Sequence, residues 1–153
     1  MGTDIWVHAE YLNFRRKKYQ YINKHFYIIR SYLLFDILAG GRGRREPIYC
    51  QRGLPDNVSA KTLKDYRNEG DDIHDVSWLT TQEYRKCLDW YYEIVDAPNE
   101  DPPTEARRWR EDYLSPDGTP NPEVAATAER IYRYLKASED KGHPARIVFW
   151  FDN

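Results

Sequence analysis

Residues 4–12, DIWVHAEYL, and residues 145–152, ARIVFWFD, decide the fold. In the first stretch Asp4, Trp6, His8 and Glu10 fall on one side and Ile5, Val7, Ala9 and Tyr11 on the other. That two-residue period is the signature of a strand. The second stretch follows Gly142-His143-Pro144 and reads as a dense, closing strand. Working inward, the helices come next. Thr80 and Glu83 make a capping-box pattern ahead of Tyr84, Cys87, Leu88, Tyr91 and Val95, which repeat at helical spacing. Asn121 as N-cap and Pro122 as first helical residue predict a helix to about Ser138, with Val124, Ala128, Ile131 and Leu135 as its buried stripe. Shorter helices are predicted over Ser31–Ala39, stopped by Gly40-Gly41, over Ala60–Asn68, capped by Ser59, and over Thr104–Leu114. Tyr19–Ile29, rich in aromatic and β-branched residues, reads as a second strand or hairpin, and residues 71–77 as an acidic loop. Strands at both ends with helices between them predict an α+β fold. One domain, 1–153, would hold a small, mainly antiparallel sheet that uses the N- and C-terminal strands and is covered by helices.

Composition narrows the function classes. Thirteen Tyr and five Trp make part of the core aromatic, with hydroxyl and indole N–H groups that need partners. A net charge of -2 excludes a generally basic, nucleic-acid-coating protein. The basic run Phe14–Lys18, FRRKK, reads as a solvated turn, and nucleic acid is not an expected partner. Two cysteines, Cys50 and Cys87, lack metal-ligand spacing and fit reduced thiols. No signal-peptide pattern and no apolar run of membrane-spanning length occurs, so the expectation is a cytoplasmic protein with no membrane partner.

The loop at residues 40–57, GGRGRREPIYCQRGLPDN, is long for a compact domain, and such loops usually carry function. A second connector, residues 96–103, is rich in Pro and acid. Arg42, Arg44, Arg45 and Arg52 lie among glycines, and guanidinium forks with close backbone N–H groups suit phosphate or carboxylate. No GxxxxGK[ST] is present, so the loop is not a P-loop. A second set, Asp4, His8, Glu10 and His74, has the ligand types of a divalent-metal site. Cys50 beside Arg52 and Ser77 before Trp78 lack any recognisable base, so no nucleophilic centre is nominated.

Several segments together resemble a family of small uncharacterised proteins of phages, prophages and some bacterial genomes. The matching residues are Asp4-Ile5; Arg30, Tyr32, Phe35, Leu38-Ala39-Gly40 and Arg42; Arg52-Gly53-Leu54-Pro55; His74 and Ser77-Trp78-Leu79; and Val148 to Asn153. The chain departs from the family pattern at Trp6 and Val76, where the family has histidines, and at Ser31 and Gly41. The resemblance implies a phage-type accessory protein of the bacterial cytoplasm and supplies no reaction. The lost histidines turn the expectation toward binding.

The expected function is therefore noncatalytic binding of an anionic, nucleotide-like small molecule, with counter-defence by sequestering a host nucleotide signal as its use. Arg42, Arg44, Arg45 and Arg52 would hold phosphates, Arg30 and Asp4 would shape the pocket, and Trp6 or Tyr49 would stack on the base. No cofactor is expected. The alternatives are a metal-dependent phosphoesterase or nuclease built on Asp4, His8, Glu10 and His74, and a protein-binding inhibitor of a host enzyme. A homo-oligomer is compatible with either.

Overall fold

The computed structural model describes residues 2–41, 43–115 and 118–153. The elements run β1 (Asp4–Asn13), β2 (Lys18–Tyr21), α1 (Tyr32–Ala39), α2 (Ala60–Asn68), β3 (Ile73–Thr80), α3 (Thr81–Val95), α4 (Glu105–Tyr113), α5 (Pro122–Asp140) and β4 (Ala145–Asp152). The four strands form one antiparallel sheet in the order β2-β1-β4-β3. The first and last strands are thus the two central ones, paired from Asp4↔Asp152 to Tyr11↔Ala145. This is the α+β architecture expected, with both terminal strands in one sheet.

Alternation gives the sheet two faces. Ile5, Val7 and Ala9 of β1, Ile147, Phe149 and Phe151 of β4 and Leu79 of β3 are buried in one apolar core with α1, α3 and α5. Removing such a side chain from water contributes about 1.5–3 kcal/mol. The predicted stripe of α5 is buried as expected, and Tyr84 of α3 meets its polar requirement by donating to the Ala128 carbonyl at 2.8 Å. The helix ends follow the sequence. Ser31, Ser59, Thr80, Thr104 and Asn121 all accept an N-cap hydrogen bond, and the Thr80–Glu83 capping box is complete. Gly40 closes α1 at φ 67°, a conformation that favours glycine.

Two expectations are corrected. The second strand stops at Tyr21 instead of running to Ile29; Ile22 makes one last bond to the Ala9 carbonyl, and residues 22–31 then cross toward the other face. Residues 73–80, expected to begin as an acidic loop, form edge strand β3. A bulge between His74 and Ser77, with Asp75 at φ 55°, breaks the alternation that would have announced it. The described residues of the 40–57 loop lie in no helix or strand, yet they are tied down along the bulged edge. Gly53 N–H donates to the Val76 carbonyl, Arg52 N–H to Ser77 Oγ, and Gln51 to both the Ala39 carbonyl and Asp75. Among the described residues no helix is long and apolar enough to cross a membrane.

Candidate ligand cleft

The second face of the sheet carries the other half of each alternation, Asp4, Trp6, His8 and Glu10 of β1 and Arg146, Val148, Trp150 and Asp152 of β4, partly roofed by α2. At its centre Glu10 and Arg146 are paired across β1 and β4, at 0% and 3% exposure. Arg146 donates to Glu10 Oε1 at 3.0 and 2.8 Å, while Glu10 Oε2 accepts from Ser59 N–H at the start of α2. The guanidinium also reaches Asn57 and lies 3.5 Å over the Tyr19 ring. This fully partnered network fixes α2 against the sheet.

Toward the Asp4 end of that face, α2 and the 22–30 crossing leave a cleft of about 470 Å³. Its aromatic walls are Trp6, Tyr21, Phe26 and Tyr27; its carboxylates are Asp4, Asp65, Glu69 and Asp152; His8, His25 and Lys61 complete the polar lining. Trp6 and Tyr27 are 43% and 65% exposed. The Trp6 indole N–H donates to Asp152 Oδ2 at 2.9 Å, which holds the ring in place.

The cleft is negative. Arg30 offsets Asp4 through a forked pair at 3.0–3.1 Å, and Lys61 offsets Asp65 at 2.8 Å. Burial pushes Asp65 upward, but hydrogen bonds from Lys61 and His8 outweigh it and leave the group below its usual range. Glu69 is held above its usual range by burial and by the charges of Asp152 and Asp65. His8, 5% exposed, sits on the floor with its ring stacked on Trp150 at 4.6 Å. Burial lowers its pKa against the opposing pull of Asp65, so the imidazole is neutral near pH 7. Its Nε2 is 2.9 Å from Asp65 Oδ2, and Asp65 can only accept, so Nε2 carries the proton. Nδ1 is buried without a hydrogen-bond partner.

The sequence-predicted residues divide. Asp4 and Trp6 line the cleft, and Arg30 stands beside it through Asp4. Arg44, Arg45, Arg52 and Tyr49 do not line it. Arg44 donates to the Asp112 carbonyl and lies over Tyr113; Arg45 pairs with Asp112 and, at 3.8 Å, with Glu105. Arg52 pairs with Glu83 through both ends of its fork and lies between Trp78, 4.6 Å away, and Tyr49, 5.6 Å away. Two of these guanidiniums bolt the loop to α4 and the third bolts it to α3. Arg44, Arg45 and Arg52 each meet a carboxylate or carbonyl on a neighbouring helix and do not converge on one point. Arg42 lies outside the described residues.

The candidate metal set is also separated. Asp4 is engaged by Arg30, His8 by Asp65, and Glu10 by Arg146 and Ser59. His74 pairs in register with Phe151 and stacks on it, on the core side of the sheet, bonded to Asp75 at 2.7 Å and Asn153 at 3.3 Å. Among the described residues no three His, Cys, Asp or Glu side chains are grouped to hold an ion.

Sequence reasoning missed Lys61, Asp65 and Glu69 on one wall and Tyr21, His25, Phe26 and Tyr27 on the other. A signal existed for the first three: they follow a four-residue step along one face of the predicted helix and its C-cap. Nothing local announces that residues 25–27 fold over the same face. Comparison with protein-family models, curated proteins and solved structures returns no match for this chain.

Proposed function

We propose that the chain binds a small molecule without turning it over, in the cleft between β1, α2 and the 22–30 crossing. The ligand is a flat ring system bearing N–H donors or a positive charge. The observation that carries this reading is the pairing of four aromatic rings with four carboxylates in one cleft. Rings offer a stacking or cation–π surface, and carboxylates only accept hydrogen bonds. The exposed Trp6 ring, held by Asp152, is the stacking platform. Binding is favoured over acid–base chemistry because His8 keeps one nitrogen on Asp65 and the other buried.

A nucleotide-like ligand fits through its base. Its exocyclic amino or ring N–H groups would donate to Asp65, Glu69 or Asp152, whereas a phosphate inside the cleft would meet those same negative groups. The phosphate would therefore face outward, toward Arg30 and Lys61. The resemblance to phage accessory proteins supports sequestration of such a molecule as the use.

Isothermal titration with adenosine, guanosine, cytidine, their 5′-monophosphates and tryptamine tests this. Expected is binding of at least one nucleoside or amine, no tighter binding of its monophosphate, and recovery of the ligand unchanged. Trp6→Ala should weaken binding about tenfold, in the range of one lost base–aromatic stack. Tighter binding of every phosphorylated partner, weakened by Arg44→Ala or Arg52→Ala, would return recognition to the arginine loop. Silence from the whole panel would reject the reading.

A further inference from the structure

We propose that a basic strip along α5 and the β1–β2 turn binds single-stranded nucleic acid, with phosphates on its cations and a base on Phe14. The strip adjoins the cleft at Phe26 and carries the opposite charge. It begins at the turn, residues 14–18, where every residue is exposed and Phe14 is 57% exposed. The turn has a fixed shape: Asn13 Oδ1 accepts from the backbone N–H groups of Arg15 and Arg16, at 3.0 and 3.2 Å. Its side chains are therefore presented on an ordered tip.

Rings connect the tip to α5. Phe14 lies 6.3 Å from the His143 ring, and His143 N–H donates to the Ser138 carbonyl near the end of α5. One turn earlier, Arg130, Arg133, Tyr134 and Ala137 line a shallow groove of about 300 Å³ on one helix face. Lys24 stands 6.0 Å from the Tyr134 ring and Arg130 6.0 Å from that of Phe26.

Clustering of unpaired cations marks this strip. Elsewhere Arg30, Arg45, Arg52, Arg85, Arg107 and Arg146 each have a carboxylate partner, while Arg44, Lys64, Arg67, Lys86, Arg110 and Lys141 have none within ion-pair distance among the described residues. Among the described residues none of the four cations of the turn, nor Lys24, Arg130 or Arg133, lies in an ion pair. The neighbouring acids of α5 are otherwise engaged: Glu129 by Arg85, Asp140 by Lys136, and Glu139 by Ala145 N–H. In a chain of net charge -2, the four cations of the turn and the three on or beside α5, none in an ion pair, form a local positive field that Glu129, next to Arg133, offsets only in part. The complementary partner is a polyanion. Exposed and half-exposed rings interleaved with the cations favour unstacked bases over an acidic peptide, because every base offers a face to stack.

The test is fluorescence anisotropy with labelled DNA and RNA single strands of about 15 nucleotides, a length that covers a site of this size. Binding is expected at about 50 mM salt, weakening with salt at a log–log slope of about −0.7 per phosphate contacted. Arg15→Glu with Arg16→Glu, and Arg130→Glu with Arg133→Glu, should each weaken it at least tenfold and flatten the slope. Phe14→Ala should weaken it about tenfold with the slope unchanged, as loss of a stack requires. Circular dichroism and melting should be unchanged, and Arg15→Gln with Arg16→Gln gives the same test without charge reversal. No binding at low salt, or equal binding by all variants, would overturn the proposal. So would displacement by polyglutamate at equal charge with Phe14→Ala neutral, which would identify an acidic-protein surface instead.

Discussion

Glu10 and Arg146 face each other across the two central strands, and each is satisfied by the other and by the segment that starts α2. Such a pair is worth little net against water, but losing one member strands the other. Glu10→Ala is therefore expected to cost about 3–5 kcal/mol in urea unfolding. Glu10→Met with Arg146→Met should be less destabilising than Glu10→Ala alone. A double variant as unstable as the sum of its parts would refute this account.

Arg52 and Glu83 give an acid limb to stability. Hydrogen bonds from Arg52 hold the Glu83 carboxyl at about 2, below its ordinary 4.5. A carboxylate depressed on folding stabilises the protein above its unfolded pKa and loses that contribution as pH falls through the folded value. The difference in urea midpoint between the wild type and Glu83→Gln should be constant above about pH 5.5 and shrink from there toward pH 2. Arg52→Ala should move the Glu83 carboxyl resonance upward in an NMR titration.

His8 sets a second limb. Its pKa is lowered from 6.5 by burial, so the unfolded chain binds a proton more readily than the folded one. Stability from this group is present above about pH 6.5 and is lost as pH falls toward the folded value. His8→Gln should flatten the stability curve just below neutrality. An unchanged curve there would mean that the imidazole is not desolvated.

The two thiols should separate cleanly. Cys50 is exposed, whereas burial pushes the Cys87 thiol up to about 12. A disulfide-exchange reagent at neutral pH should modify one thiol in the native protein and the second only after unfolding. Rapid modification of both would place α3 less firmly on the core than its buried residues indicate.

The fold was largely legible because its signals are local. Asp4 to Leu12 alternates, Thr80 and Glu83 spell a capping box, and Asn121-Pro122 starts α5 where it is observed. β3 was illegible because the bulge at Asp75 shifts its register midway. The cleft was half legible. Asp4 and Trp6 came from the alternation of β1, but their opposite wall comes from α2 and residues 25–27, which only tertiary folding brings there. The arginines misled for a related reason: sequence shows guanidiniums gathered in a loop and hides Asp112, Glu105 and Glu83, which reach them from other elements.

The strand order has a consequence in time. β4 joins β1 to β3, yet it is made last of the four, and Glu10 and Arg146 lie 136 positions apart. At about 5–20 residues per second, β1 leaves the ribosome on the order of ten seconds before its central partner. During that interval only the short β2 can pair with it, and Ile5, Val7 and Ala9 have no opposing sheet neighbours. The apolar face of β1 thus waits for a partner far along the chain, and pairing over so long a separation is expected to make folding of the sheet slow.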